Sequence, residues 1–169
     1  MSEIHVTGLR ELQSFLDTLS PKIEKNILRG ALRSGAKVIE SEAKANVPVK
    51  DGVLRDSIRV TGRLKGHTVT ASIKAGGKTK SGDAFYARFV EYGTAAHVIN
   101  GRNRGWLSWG GIFAKSVDHP GAVPHPFMRP ALDDKADAAI TATAEYIRKR
   151  LTKEGINVPD TGITIEEAE

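Results

Sequence analysis

Apolar residues recur every three to four positions over two long stretches of the chain. The first stretch runs from Pro21 to Pro48. Ser20, just before it, is suited to cap a helix, and Pro21 is suited to the first turn of that helix. Charged residues fill the opposite side, which is the pattern of a long amphipathic helix. Several residues of the apolar stripe on this predicted helix are small, which permits another element to pack closely against it. The stripe consists of Ile23, Ile27, Ala31, Gly35, Ile39 and Ala43.

The second stretch begins at Pro130 and is closed by Gly155. Asp133 and Asp134 fall in its first turn, where acids suit the positive end of a helix. Its predicted apolar face consists of Leu132, Ala136, Ala139, Ile140, Thr143, Ile147 and Leu151. Closer to the N-terminus, Ile4–Val6 predicts a short strand. A further helix, beginning near Gly8, is predicted from Leu12, Phe15, Leu16 and Leu19.

Between the two long helices the pattern changes to alternation. Residues 57–61 and 68–75 alternate apolar and polar positions, which predicts two antiparallel strands joined through 62–66, each with one polar face. The polar, glycine-rich residues 76–82 predict a flexible loop. A short helix is expected from Asp83, as its cap, to Tyr92, with Gly93 ending it.

Residues 97–124 predict an irregular segment or a β-hairpin arm with a Gly-Gly turn. Two tryptophans lie beside this turn, and exposing them to water is costly. The two tryptophans are therefore interpreted as anchors of an interface at least as readily as members of a local core. The candidate subunit or ring interface consists of Trp106, Trp109, Ile112 and Phe113.

The segments Phe85–Thr94 and Pro124–Leu132 combine aromatic and apolar residues with a single acid and several prolines. Nothing in them resembles a catalyst, and this composition favours segments that lock together. We expect a structural latch formed by Phe89, Glu91, Tyr92, Gly93, Phe127 and Pro130.

These elements together predict an α+β fold. We expect a long N-terminal helix and a C-terminal helix packed on a small antiparallel β-sheet, with an extended loop or hairpin arm. Residues 1–155 are expected to form a single domain, with the arm around 95–124. Residues 156–169 are expected to be an acidic C-terminal tail that is mobile or held by a partner.

Composition fits one globular domain without a membrane partner. The chain has 169 residues, of which 40% are hydrophobic, and no apolar run approaches the roughly 20 residues of a membrane span. The absence of cysteine excludes disulfides and thiolate chemistry and suits a reducing cytoplasm. The net charge of +5 is uneven, because residues 154–169 hold five acids and no Lys or Arg.

Eight basic residues fall within 50–80, against Asp51 and Asp56. A basic surface of this kind suits DNA or an acidic protein partner, and charge alone does not choose between them. The hairpin lacks the interleaved aromatic residues of a single-strand binding surface, which favours a solvated or protein-facing role. The candidate residues are Arg55, Arg59, Arg63 and Lys65.

No catalytic, cofactor or metal site is predicted. His97, His119 and His125 are irregularly spaced and have no carboxylate pair placed with them, so loop or interface histidines are the better interpretation. Residues 76–82, GGKTKSG, lack the spacing of a phosphate-binding loop. Ser57 and Thr94 belong to no recognisable nucleophile motif.

Several pieces of the chain, taken in order, resemble a known family. They are VPVKDGVLRDSI, a hairpin, VEYGT and PFMRPAL, spread over roughly Gly8–Leu151. Each is weak alone, but the order and spacing are similar to the lambdoid tail-component family of long-tailed bacteriophages, which includes neck, tail-completion and minor tail proteins.

The resemblance implies a structural virion protein of the head–tail junction, assembled in the cytoplasm of the bacterial host. Such a subunit would form a homo-oligomeric ring, of six copies rather than twelve, around the path of the packaged DNA. Its partners would be a head-closure or connector protein and a tail tube or tail terminator protein.

The main alternative is a nucleic-acid-binding module that uses the basic hairpin within 50–80. Salt-sensitive binding of the monomer to duplex DNA would favour this alternative. Strong basic contacts in a ring would instead impede sliding DNA. An enzyme that uses His119 or His125 is a more distant possibility.

Overall fold

Two long antiparallel helices organise the chain. The computed structural model describes residues 4–6, 10, 13–14, 17, 21–66, 68–101, 105–153 and 165–167. Helix α1 spans Pro21–Asn46 and helix α4 spans Met128–Lys153, each 26 residues long. The two helices run in opposite directions. Gly30, early in α1, faces Tyr146, late in α4, and Glu42, late in α1, forms an ion pair of 3.5 Å with Lys135, early in α4. The two helices predicted from the apolar stripes are confirmed.

Glycines in α1 let the two helices approach closely. A side chain at Gly35 would place its Cβ 2.6 Å from the carbonyl oxygen of Ala139, and one at Gly30 would overlap the ring of Tyr146. The close approach also decides which face of α4 is buried. Ala131 and Ala139 turn inward, while Leu132 remains 52% exposed, so the prediction of Leu132 on the buried face is wrong. The helix also begins at Met128, two residues before Pro130.

A short helix joins α1 to the predicted hairpin. Helix α2 spans Val53–Ser57 and follows Gly52, whose φ of 82° suits glycine. Val53 and Leu54 are buried in this helical turn, which extends to Ser57. The predicted start of a strand at residue 57 is therefore wrong. Strands β2 (Arg59–Lys65) and β3 (Thr68–Lys74) pair antiparallel, and their connection is shorter than the predicted 62–66.

Residues 76–82 close a hydrogen-bonded turn that packs on α2. The Thr79 N–H donates to the Gly82 carbonyl oxygen at 2.7 Å, and the Gly76 N–H donates to Ser57 Oγ at 2.9 Å. Gly82 lies against Val53. The segment predicted as a flexible, polar loop therefore packs on α2, because its backbone supplies the contacts.

The next helix is shorter than predicted. Helix α3 spans Ala87–Tyr92, and Tyr86 precedes it without a side-chain cap. Asp83 instead forms an isolated β-bridge with Lys78, so its predicted capping role is wrong. The predicted end of this helix at Gly93 is confirmed.

The segment after α3 is a two-tiered hairpin arm. Strand β4 (His97–Asn100) pairs with β7 (Ser116–His119), and β5 (Leu107–Trp109) pairs with β6 (Ile112–Ala114). Gly110 and Gly111, with φ of 56° and 83°, form the two-residue turn at its tip.

The main core lies where α1 ends and α4 begins. Nine buried residues from four stretches of the chain meet there, with Phe127 the largest of them: Ala43, Val47, Val53, Leu54, Ile58, Ala84, Ala87, Phe127 and Ala131. The apolar face of the β2–β3 hairpin lies along α1, where Val60 and Val69 line a shared groove.

The α+β class is confirmed, with one difference in the sheet. The strands of the described residues form four separate two-stranded sheets rather than one small sheet. Strand β1 (Ile4–Val6) lies where the sequence predicts a strand. It pairs with β8 (Ile165–Glu167), a pairing that was not predicted, so these three residues of the acidic tail have a backbone partner within the chain. The helix predicted from Gly8 lies mostly outside the described residues; Arg10, Gln13 and Ser14 are helical.

Candidate assembly interface

The carboxylate of Glu91 joins α3 to the first turn of α4. One oxygen accepts hydrogen bonds from the backbone N–H groups of Phe127 at 2.8 Å and Met128 at 3.0 Å. The other accepts the N–H of Arg129 at 3.1 Å. The first N–H groups of a helix have no partner within it, and its N-terminus attracts negative charge. Glu91 is only 8% exposed, so it supplies these acceptors where water has little access.

A second connection fixes the root of the arm beside this cap. Thr94 and Ala122 exchange two backbone hydrogen bonds of 3.0 Å, and the His125 N–H donates to the Val90 carbonyl oxygen at 2.8 Å. Gly93 makes this approach possible. Its φ is 69°, and a Cβ at this position would lie 2.5 Å from the Ala122 carbonyl oxygen. The two ends of the arm are therefore held together at α3.

The predicted latch residues fall into two groups. Glu91 and Phe127 meet at the junction, Gly93 lies against Ala122 and Pro124 beside it, and Pro130 lies in the first turn of α4. Phe89 and Tyr92 do not join them. They lie on the outer side of α3, 50% and 68% exposed, and Phe85 is also exposed at the start of this row.

The arm presents apolar side chains to solvent. Trp106, Ile112 and Phe113 are between 56% and 66% exposed. The side chain of Trp109 lies outside the described part of the structure, although its backbone pairs with Ile112 in the hairpin. The Lys115 ammonium lies 5.5 Å from the centre of the Trp106 ring, a cation–π distance. Val98 and Ile99, nearer the root, are exposed as well.

Two of the three histidines singled out in the sequence meet in the arm. The rings of His97 and His119 stack with centres 5.0 Å apart, as a directly opposite pair on β4 and β7. The Gly121 N–H donates to His119 Nδ1 at 3.0 Å, and His97 Nδ1 contacts the Ala95 carbonyl oxygen. Among the described residues, no group of three or more His, Asp or Glu side chains could hold a metal ion.

The four candidate basic residues differ in their surroundings. Arg55 lies on α2 beside Asp56, at 3.7 Å, and is not part of the hairpin. Arg59 donates from Nη1 to the carbonyl oxygens of Ser57 and Gly76, both at 2.9 Å. Arg63 and Lys65 are exposed on β2.

Sequence reasoning did not identify the bond made by Glu91, although a signal was available. Glu91 is the only acid within an aromatic and apolar run, which is unusual unless the carboxylate has a partner. Two further features were missed. The exposure of Phe85 depends on the orientation of α3, and the position of Lys74 opposite Arg59 depends on strand register.

Comparison with known proteins agrees with the resemblance in the first half of the chain. Residues 10–93 match the family model described as "Bacteriophage HK97-gp10, putative tail-component". The match covers α1, the hairpin and α3, and it ends at Gly93 rather than reaching Leu151. No curated protein and no solved structure matches the chain. None of the helices in the described ranges is long and apolar enough to cross a membrane.

Residues 10–93, which contain α1, the hairpin and the Glu91-bearing helix, therefore belong to the HK97-gp10-like family of bacteriophage tail components.

Proposed function

We propose that this protein is a structural subunit of the phage head–tail junction, where copies of it form a closed ring around the DNA path. The observation that carries the proposal is the exposed, apolar arm mounted on a fixed root. The family indicates a virion component that contacts other virion proteins. The ring of six copies, the connector on one side and the tail tube or terminator on the other are part of the proposal.

The arm is poorly suited to remain free in water. A two-stranded ribbon is only marginally stable without cover on at least one face. Burying a large apolar side chain contributes about 1.5–3 kcal/mol, so covering Trp106, Ile112 and Phe113 gives an arm contact a substantial driving force. An arm that reaches a different surface of the next copy makes a head-to-tail contact, which closes into a ring when the rotation permits.

The proposed role is structural rather than catalytic. Glu91, the buried acid of the core, already accepts three backbone hydrogen bonds. His97 and His119 are occupied with backbone groups of the arm. Glu91 is therefore committed to holding the fold, and each histidine engages the backbone through one ring nitrogen, Nδ1, which supports a structural role.

The proposal is tested by removing the apolar side chains of the arm. We expect Trp106→Ala with Trp109→Ala to yield a folded protein that no longer forms rings and no longer supports tailed particles. Ring formation is measured by native mass spectrometry and particle yield by complementation of a phage that lacks the gene.

The matched control is Leu64→Ala, which removes an exposed apolar side chain outside the arm. Wild-type rings and particles from the double variant would contradict the proposal. The alternative of a free-standing nucleic-acid-binding module requires the opposite result, in which the arm variant retains full function.

A further inference from the structure

One face of the β2–β3 hairpin is entirely basic and hydroxylated. Residues directly opposite one another in an antiparallel pair project from the same face, and alternate residues of a strand share it. The register pairs Arg59 with Lys74 and Arg63 with Thr70. The complete face consists of Arg59, Thr61, Arg63, Lys65, Thr68, Thr70, Ser72 and Lys74.

Three cations on this face have no acidic partner within the described chain. No ion pair reaches Arg63, Lys65 or Lys74 among the residues that the structure describes, and all three are exposed. Lys74 also lies directly opposite Arg59, a like-charge pairing that is unfavourable unless an anion is nearby. Arg59 itself is held by two backbone carbonyl oxygens, so it contributes charge from a fixed position.

We propose that this face of the hairpin binds the phosphate backbone of duplex DNA without sequence preference. Seven residues of strand extend about 20 Å, the axial length of roughly six base pairs. Lysine, arginine and threonine are common donors to phosphate oxygens. The face carries no Asn, Gln or aromatic side chain that would read or stack on bases, so only backbone contacts are available.

An acidic protein partner fits this face less well. The centre of a protein–protein interface is enriched in aromatic and apolar side chains and depleted in charge. The hairpin has the reverse arrangement, because its apolar residues Val60, Val69 and Ile73 are on the opposite face, toward α1 and the core. A few exposed, solvated contacts also remain compatible with DNA that moves past the surface. The inference depends on charge and register and not on ring formation.

The test compares two triple variants of the full chain. Arg63→Gln, Lys65→Gln and Lys74→Gln together remove the free cations of the face. Lys37→Gln, Lys149→Gln and Lys153→Gln remove the same charge from exposed positions on α1 and α4. Arg59 is left intact because it holds the turn at Gly76. Thermal unfolding of both variants verifies that they fold.

The measurement is fluorescence anisotropy of a mixed-sequence duplex of about 30 base pairs at salt concentrations from about 50 to 300 mM. Each phosphate contact contributes about 0.9 to the slope of log affinity against log salt. We expect the hairpin variant to lower this slope by about 2.7 and to weaken binding on the order of 100-fold at about 0.1 M salt. The control variant should retain most of the slope.

Three results would overturn the proposal. They are failure of the wild-type chain to bind duplex at low salt, an equal loss of slope in both triple variants, and preference for poly-glutamate over duplex, which would indicate an acidic protein partner. Ring formation by the hairpin variant is measured in parallel. Loss of DNA binding with intact rings separates this inference from the proposed function of the arm.

Discussion

The core junction and the hairpin arm are similar in sequence and opposite in structure. Both contain aromatic and aliphatic residues near glycine and proline. At the junction, Phe127 and Ala131 are completely buried, and Glu91 fastens the start of α4. In the arm, Trp106 and Phe113 remain exposed. Two stretches of similar composition can therefore be buried or exposed, and the fold decides which of the two occurs.

The largest effect on stability is expected at the junction. Glu91→Ala removes the acceptor of three N–H groups at a buried helix start, which should destabilise the protein by about 3 kcal/mol. Glu91→Gln should cost less, since its amide oxygen can still accept. Chemical denaturation followed by circular dichroism measures the free energy of unfolding.

The control for this change is Glu145→Ala, which removes an exposed acid from α4 and should change stability by less than about 0.5 kcal/mol. Equal stability of Glu91→Ala and this control would show that the junction owes little to the carboxylate, and the contrast with the arm would lose its main support.

A smaller loss is expected at the helix pair. Gly35→Ala places a methyl group 2.6 Å from the Ala139 carbonyl oxygen, so α1 and α4 must separate, at a cost of about 1–3 kcal/mol. Helix propensity alone would act in the opposite direction, by about 1 kcal/mol. The sign of the change in the free energy of unfolding therefore decides whether the close approach limits stability. It is measured by chemical denaturation, with Ser41→Ala at an exposed site of α1 as the control.

The smallest effect on the isolated subunit is expected in the arm. Trp106→Ser with Phe113→Ser removes side chains that are already exposed, so the free energy of unfolding should change by less than about 0.5 kcal/mol. The measurement uses dilute protein verified as monomeric by analytical ultracentrifugation. A clear loss of monomer stability would place these side chains in a core and remove the difference between the two regions.

Much of the fold could be predicted because periodicity reports burial within one element. The stripe from Ile27 to Ala43 was sufficient for α1, and alternation was sufficient for the presence of the hairpin. Helix α2 was missed, and the start of α4 was placed two residues late, because tertiary contacts set both: burial of Val53 and Leu54 in the first case and the Glu91 cap in the second. Leu132 was misplaced because Ala131 and Ala139, rather than Leu132, lie on the buried face of α4.

The candidate interface was only partly predictable from the sequence. Aromatic residues beside a Gly-Gly turn indicated an arm, and Trp106, Ile112 and Phe113 are exposed there. The split between Glu91, which faces inward, and Phe89 and Tyr92, which face outward, could not be read from a six-residue helix. Its orientation depends on α4, which follows it by more than thirty residues.

The helix stripes, the alternating hairpin and the glycine-bounded arm could be read from the sequence because they depend on short-range periodicity and local backbone preference, and the likeness to phage tail components could be read from the order of its motifs. The acid that caps α4, the aromatic residues that face solvent and the cations that share one face of the hairpin became evident in the folded chain alone. Those outcomes depend on contacts between segments that are distant in the chain, where the angle and register of whole elements select the partner of each side chain.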